Sequence, residues 1–430
     1  MADMTLTITY FAFLLGFGVI IANILKKAKV PDALFLLLLG LVLGPTLFKS
    51  PIIASNINLT LVDVSVMGNI PDFLRTLALV LVVFTGTFNL NLRVFKKFSD
   101  ISINLAFIGV IFNTVAIGIF AMIIFKLEPI FAFLLSAVIA GTATEVIYPF
   151  EHALKDEQEA LTTLKMESIF NSPLTVLLPA LFIDVLTVQS GVLIEPLRYM
   201  ALFWQRIAAG VGTGILVGYS LSKLLKGMLK EYTPLLLLSI ALITYALAEN
   251  VGGSGMLAVA VCGLIAGNMT FPQKKEVKRF DDYFSEMLRI SVFTMMGAQI
   301  YLNFSITQIL VTLIFFILVI LIRPLFVIPL LKKLGLEFST KGKLMLCFIT
   351  PRGMSSAAMA PIIVGVLVSL GKNEIGNFLM NTIFLCILFS ILFSTIIANF
   401  ISKNKLPSFG FQRFEFSKES KAGDFEEIKI

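Results

Sequence analysis

Residues 163–187 read TLKMESIFNSPLTVLLPALFIDVLT, a run long and apolar enough to cross a membrane as a helix. Its first half contains the segment Met166 to Pro173, which holds one carboxylate, one amide and two hydroxyls. Polar side chains are costly inside a lipid bilayer, so this segment indicates a functional role.

The composition of the whole chain identifies its class. Of the 430 residues, 57% are hydrophobic and only 14% are charged, and the mean hydropathy is +0.94. Apolar runs of about 20 residues, enough to cross a bilayer core of about 30 Å, recur along almost the whole length. Such runs exclude a soluble globular fold and a barrel of alternating strands. The predicted fold class is therefore an all-α polytopic membrane protein.

About thirteen membrane spans are predicted, and the basic residues give their orientation. Lys and Arg collect after spans one, three, seven, nine, eleven and thirteen, whereas the intervening loops are nearly bare of them. Because basic loops stay in the cytoplasm, the N-terminus is expected outside and the C-terminus inside the cell. The net charge of +7 follows from the same bias, so nucleic-acid binding is not predicted. The predicted spans are 5–25, 32–49, 71–90, 101–126, 129–149, 163–187, 197–225, 232–249, 254–271, 285–302, 305–331, 343–371 and 375–402.

Two short sequence echoes indicate an internal repeat. Gly40 to Gly44 in span two resembles Gly263 to Gly267 in span nine, and Gly86 to Leu90 in span three resembles the sequence from Gly297 in span ten. A shift of seven spans reverses the direction through the membrane, as the inverted repeats of secondary transporters require. The predicted division is a transmembrane domain 1–402, made of a first six-helix repeat within 31–187, a linking helix 197–225 and a second repeat 232–402, followed by a cytoplasmic tail 403–430.

Spans five and twelve are predicted to be discontinuous. Span five carries Gly141-Thr142-Ala143-Thr144-Glu145 and span twelve carries Thr350-Pro351-Arg352-Gly353, so each has helix-weakening residues beside one charge. Kinks for packing would explain the Gly and Pro residues, but charges inside a membrane favour a functional site. In transporters with inverted repeats, the binding site lies where corresponding helices break.

The charged side chains of these spans receive predicted roles. Arg352 needs a buried partner, and Glu167 of span six is the simplest one, in a mainly structural pair; a direct transport role for the pair is the alternative. Glu145 is then the unpaired carboxylate. Burial favours its protonated form and a nearby cation favours its charged form, so a proton and a cation can compete for it. Such competition is the chemical basis of antiport.

These residues give the chain a family resemblance from about Pro31 to the end of span thirteen. The sequence resembles the NhaP-type branch of the monovalent cation:proton antiporter superfamily. The resemblance implies crossed, unwound helices five and twelve, an inverted repeat, a homodimer, and elevator-type exchange of Na⁺ or Li⁺ for H⁺. It also supports the pairing of Glu167 with Arg352. The matching motifs are Gly-Leu-x-x-Gly-Pro from Gly40, Phe84 to Leu90, Ala143-Thr144-Glu145, Glu167 to Asn171, Gly253 to Val259, and Pro351-Arg352-Gly353.

The chain departs from the family pattern at three positions that bind the ion in typical members. It has Ser172 where Asp is usual, Glu145 where Asp is usual, and Thr85 where Glu is usual. A Ser oxygen can ligate Na⁺ but cannot exchange a proton near neutral pH. We therefore expect the longer Glu145 side chain to replace the lost carboxylate, which gives one-for-one, electroneutral exchange. The predicted ion-binding and coupling residues are Glu145, Thr144, Ser168, Asn171, Ser172 and Thr85, with the cation held by Glu145, Ser168 and Ser172.

Several interpretations remain open at this stage. K⁺ is a possible substrate beside Na⁺ and Li⁺, because all three accept hard oxygen ligands. A transporter with a changed substrate or lost coupling, and a non-transporting membrane sensor, are the alternatives to antiport. The sequence contains no phosphate-binding glycine loop, catalytic constellation or metal-ligand set, so neither an enzyme nor a cofactor is expected.

Overall fold

The computed structural model describes residues 2–28, 32–44, 67–89, 92–147, 154, 157–187, 196–225, 232–269, 274–299 and 306–402. Within these ranges the regular structure is α-helical, which confirms the predicted fold class. The backbone of Thr144 and Glu145 is described but their side chains are not, and the tail 403–430 lies outside the described residues.

The described residues form fifteen helical segments, which account for the thirteen predicted spans because two spans are interrupted and contribute two segments each. Seven of the described helices are long and apolar enough to cross a membrane, and four shorter ones are also apolar. The helices are α1 Ala2–Ala28, α2 Ala33–Leu43, α3 Ile70–Phe88, α4 Leu92–Phe125, α5 Pro129–Ile139, α6 Thr144–Ile147, α7 Gln158–Thr187, α8 Pro196–Leu225, α9 Thr233–Asn250, α10 Gly255–Gly267, α11 Lys274–Ala298, α12 Ile306–Lys333, α13 Thr340–Phe348, α14 Met354–Ser369 and α15 Asn373–Ser402.

Two helices begin earlier than their apolar runs predict. α4 starts at Leu92 rather than near residue 101, and α11 starts at Lys274 rather than near residue 285. Neither extension contains Gly or Pro, so nothing interrupts the backbone hydrogen bonds outside the apolar run. The basic residues from Lys274 onward therefore lie on a helix and not in a loop. Lys274 itself donates a hydrogen bond to the Gly267 carbonyl at the end of α10.

Glycines allow two helix pairs to pack with their backbones almost in contact. Gly40 of α2 lies against the backbone of Thr294 in α11, and Gly267 of α10 lies against the backbone of Phe88 in α3; a Cβ at either glycine would overlap these atoms. The helix pairs are thus α2 with α11 and α10 with α3. Each pair joins one helix from each predicted repeat, which is the reciprocal packing that two inverted halves require.

The helices form two groups, each joined by helix packing and by polar contacts. The flank bundle comprises α1–α3 and α8–α11, and the site bundle comprises α4–α7 and α12–α15. In the flank bundle, Arg289 of α11 holds Asp32, just before α2, with N–O distances of 2.7 and 2.6 Å. Arg75 of α3 donates to the Gln299 side chain, at the end of α11, over 2.6 Å. The site bundle holds the broken helices.

Candidate functional site

The two interrupted spans cross at their unwound segments. The first is residues 140–143, between α5 and α6, and the second is residues 349–353, between α13 and α14. The Ala143 amide donates to the Pro351 carbonyl over 2.9 Å, and the Ser356 hydroxyl donates to the Val138 carbonyl over 2.7 Å. The prediction that spans five and twelve are discontinuous and crossed is confirmed.

The carbonyls exposed at the end of α5 receive side-chain donors. The Arg352 guanidinium donates to the Gly141 carbonyl, and the Asn113 amide of α4 donates to the Ala140 carbonyl over 3.2 Å. Carbonyls at a helix end carry partial negative charge, so a buried guanidinium is well placed there. A Cβ at Gly141 would collide with the methyl group of Thr175 in α7. The close approach of the unwound segment to α7 therefore depends on glycine.

Glu167 of α7 pairs with Arg323 of α12. Both carboxylate oxygens accept from the guanidinium, over 2.9 and 2.6 Å, and the Arg323 Nε donates to the Leu346 carbonyl over 2.8 Å. The two side chains are only 2% and 4% exposed. A bidentate pair of this kind is the strongest geometry for a carboxylate and an arginine.

The predicted pair of Glu167 with Arg352 is therefore wrong. The Arg352 guanidinium instead donates to the Gly141 carbonyl, while its backbone amide donates to the Ser390 hydroxyl over 2.9 Å. Sequence reasoning missed Arg323, although an arginine within an apolar span is the same signal that singled out Arg352. The spacing along the chain does not show which of the two faces Glu167.

The polar segment of α7, Met166 to Pro173, reaches the unwound segment through Asn171. The Asn171 amide nitrogen donates to the Thr142 hydroxyl over 2.8 Å. The Asn171 Oδ1 atom is buried and has no hydrogen-bond partner among the described residues. The Ser172 hydroxyl donates to the Ser168 carbonyl over 2.6 Å, which leaves the lone pairs of its oxygen to accept. The Ser168 hydroxyl donates to the Lys165 carbonyl over 2.9 Å.

Thr85 has its hydroxyl partner in the flank bundle rather than at the crossing. Its hydroxyl lies 3.4 Å from that of Ser285, so it bridges α3 and α11. Thr144 and Glu145 open α6 immediately after the first unwound segment, which places their backbone at the crossing. The positions of their side chains lie outside the described residues, so the predicted role of Glu145 stays a prediction.

Comparison with known proteins agrees with this arrangement. Residues 11–403 match the family model described as "Sodium/hydrogen exchanger, transmembrane". Na⁺/H⁺ antiporter 1 of Methanocaldococcus jannaschii is 28% identical over 391 residues, which are 85% of this chain and 84% of that protein. The K⁺/H⁺ antiporter NhaP of Alkalimonas amylolytica is 24% identical over 410 residues, 91% of this chain and 66% of that protein.

A solved structure shares the fold. The sodium proton antiporter MjNhaP1 from Methanocaldococcus jannaschii, at pH 8, superposes with a TM-score of 0.80 and 24% identity. The alignment covers 93% of this chain and 99% of that one. The likeness therefore extends over both bundles and both interrupted spans.

Proposed function

This chain belongs to the sodium/hydrogen exchanger family, and from that premise we propose that it exchanges a monovalent cation for protons across the cell membrane. The chain is a multi-pass membrane transporter and not an enzyme. The observation that carries the proposal is the crossing of two interrupted helices, where the buried Asn171 Oδ1 has no hydrogen-bond partner among the described residues. The relatives named above act on Na⁺ or K⁺, so Na⁺, Li⁺ and K⁺ are all candidate substrates.

In the proposed mechanism, Glu145 couples the cation to the proton. Ser172 stands where a carboxylate is usual in the family, and a hydroxyl cannot release a proton near neutral pH. The backbone of Glu145 lies in the first turn of α6, next to the unwound segment, and we assign its carboxylate to the cation site. The ionised carboxylate binds the cation, and the protonated carboxyl releases it. Because a single group alternates between the two, exchange is one-for-one and electroneutral.

Neutral oxygens complete the proposed cation site. Asn171 Oδ1 is supported by its burial without a hydrogen-bond partner among the described residues, on a side chain that donates to Thr142. The Ser172 hydroxyl oxygen is proposed as a neighbouring ligand, because it donates to the Ser168 carbonyl and keeps lone pairs to accept. Thr144 and Ser168 remain in the proposed set. Thr85 is removed from it, because the described contact of its hydroxyl is with Ser285 in the flank bundle.

The division into two bundles supports an elevator-type movement. The polar contacts between helices described above each lie within one bundle. In contrast, α7 meets the flank bundle through an apolar seam formed by Met166, Ile169, Phe170 and Leu264, and Ile169 also lies beside Gly86 of α3. Apolar contacts have no preferred direction, so a seam of this kind can slide without breaking hydrogen bonds. The site bundle would then carry the cation past the flank bundle.

The exchange reaction can be tested in vesicles that hold the purified protein and a pH gradient. Adding Na⁺, Li⁺ or K⁺ in turn should dissipate the gradient for at least one cation, as reported by a pH-sensitive dye. Glu145→Gln should abolish this response, because an amide cannot titrate. The matched control is Glu128→Gln, which removes an exposed carboxylate just before α5 and should leave the response intact.

Two outcomes would contradict the proposal. If no cation dissipates the gradient, the chain has a changed substrate or does not transport. If Glu145→Gln is as active as the wild type, the coupling group lies elsewhere. Ser172→Asp restores the carboxylate that is usual in the family, and higher activity in that variant would show that Ser172 still lies in the cation site.

The elevator movement can be tested with engineered disulfides. A pair at Gly86→Cys and Ile169→Cys joins the two bundles, since a Cβ at residue 86 would lie 3.6 Å from the Ile169 side chain. Oxidation should stop exchange and reduction should restore it. The control pair, Thr85→Cys with Ser285→Cys, lies within the flank bundle and should have no effect on exchange. Equal effects of the two pairs would contradict relative movement of the bundles.

The membrane orientation and the oligomeric state also belong to the proposal. The alternation of basic loops supports an external N-terminus and a cytoplasmic C-terminus. The homodimer is carried over from the family resemblance. Labelling of single cysteines from either side of the membrane tests the orientation, and native mass spectrometry from detergent tests the homodimer, which a purely monomeric spectrum would contradict.

A further inference from the structure

We propose that Asn113 of α4 is a positioning residue for the cation site, an inference that rests on the proposed function. The Asn113 side chain is buried, at 3% exposure, and its amide donates to the Ala140 carbonyl over 3.2 Å. Ala140 is the first residue after α5. Asn113 therefore holds the point at which the interrupted span begins to unwind.

The origin of this donor distinguishes it from the others at the break. The Val138 and Gly141 carbonyls accept from Ser356 and Arg352, which lie at the other interrupted span. Asn113 instead belongs to α4, a continuous helix of 34 residues. A carbonyl inside a membrane must find a donor within the protein. Asn113 thus ties the unwound segment to an unbroken helix of the site bundle.

The position of Ala140 affects the proposed ligands. Two residues further along, the Thr142 hydroxyl accepts from the Asn171 amide nitrogen over 2.8 Å. That hydrogen bond fixes the orientation of the Asn171 amide, and with it the direction of the unpartnered Oδ1. If residues 140–142 shift, Asn171 loses its orientation. Cation affinity should then fall, even though Asn113 itself does not touch the cation.

Substitutions of Asn113 test the inference by cation exchange in vesicles. Asn113→Ala should raise the apparent KM for the transported cation roughly tenfold, as expected for the loss of one buried hydrogen bond, and change kcat much less. Asn113→Asp can donate to the Ala140 carbonyl only when the new carboxyl is protonated. It should therefore keep a wild-type KM at the acid end of the active pH range, and any loss of affinity should come as pH rises.

A control separates positioning from general destabilisation. Thr244→Ala removes a buried hydroxyl from α9 of the flank bundle, where it donates to the Ile240 carbonyl of its own helix and lies beside Cys262 of α10. This variant should leave the KM unchanged. If Asn113→Ala and Thr244→Ala change the KM equally, or if Asn113→Asp is as impaired as Asn113→Ala at acid pH, the positioning role is overturned.

Amide hydrogen exchange is a second measurement of the positioning role, and it does not depend on transport. By mass spectrometry, the backbone amides of residues 139–143 should exchange faster in Asn113→Ala than in the wild type and in Thr244→Ala. If the wild type exchanges no cation, the proposed function fails while this measurement still decides whether Asn113 holds the unwound segment. Unchanged amide exchange in Asn113→Ala overturns the inference.

Discussion

The site bundle and the flank bundle are stabilised in different ways. The site bundle contains a fully buried ion pair, Glu167 with Arg323, and side-chain donors at its broken helices. The flank bundle has continuous helices that pack through glycines such as Gly40 and Gly267. Polar side chains in the site bundle thus satisfy backbone carbonyls exposed at the broken helices, whereas the flank bundle combines close glycine packing with the ion pair of Arg289 and Asp32. The side-chain donors to exposed carbonyls therefore lie in the bundle that carries the proposed cation site.

The largest expected effect comes from breaking the buried ion pair. Glu167→Gln leaves the Arg323 charge buried without its carboxylate, which should destabilise the protein by about 3 to 5 kcal/mol. Asp32→Asn in the flank bundle should cost less, because Arg289 also bonds to Glu286, over 3.1 and 2.8 Å. Thermal unfolding in detergent compares the two variants. A larger loss in Asp32→Asn would contradict the difference between the bundles.

A second pair of variants tests the partner of Glu167. The double variant Glu167→Gln with Arg323→Gln should be more stable than Glu167→Gln alone, since the uncompensated charge is gone. The double variant Glu167→Gln with Arg352→Gln should recover less, because it removes only a neighbouring like charge and leaves Arg323 without its carboxylate. Recovery in the second variant only would restore the Glu167 and Arg352 pairing.

Much of the fold could be predicted from the sequence because the membrane restricts the choices. Apolar runs of spanning length located the thirteen spans, and Gly, Pro and charges inside such runs located both interruptions. Helical residues outside the apolar runs cannot be located by hydropathy, so the early start of α11 at Lys274 was missed. The polar segment Met166 to Pro173 of α7 was singled out because polar side chains are costly inside a membrane.

Partners within the candidate site were harder to predict. Two arginines, Arg323 and Arg352, lie in different spans, and only the packing of α7 against α12 decides which one meets Glu167. Asn113 is one of two asparagines in α4, beside Asn104, and no sequence pattern marks it. Thr85 was assigned to the ion site by family position alone, whereas its rotation about α3 brings its hydroxyl to Ser285.

A smaller effect is expected from filling a glycine contact in the flank bundle. Gly267→Ala places a methyl group against the backbone of Phe88, which cannot move as a flexible side chain could. The expected loss is about 1 to 3 kcal/mol. Gly365→Ala in α14 of the site bundle is the matched control, because nothing lies within 4 Å of the added Cβ. Its thermal unfolding should be unchanged or slightly raised. Equal losses would show that the flank bundle does not depend on close glycine packing.

The smallest effect is expected at Thr85. The 3.4 Å separation from the Ser285 hydroxyl is long for a hydrogen bond between two hydroxyls. Thr85→Val keeps the shape of the side chain and should cost no more than about 0.5 kcal/mol, the low end for one hydrogen bond. It should also leave the KM for the transported cation unchanged, whereas Ser172→Ala, which removes an oxygen beside Asn171, should raise it.

Cation exchange by Thr85→Val and Ser172→Ala in vesicles shows whether all ligands lie in the site bundle or one lies in the flank bundle. If all ligands lie in the site bundle, the cation moves with that bundle and the flank bundle needs no oxygen for it. An increase in KM for Thr85→Val as large as that for Ser172→Ala would place a ligand in the flank bundle. The cation would then have to leave that ligand whenever the bundles slide, in addition to the apolar contacts at Ile169 that the movement must change.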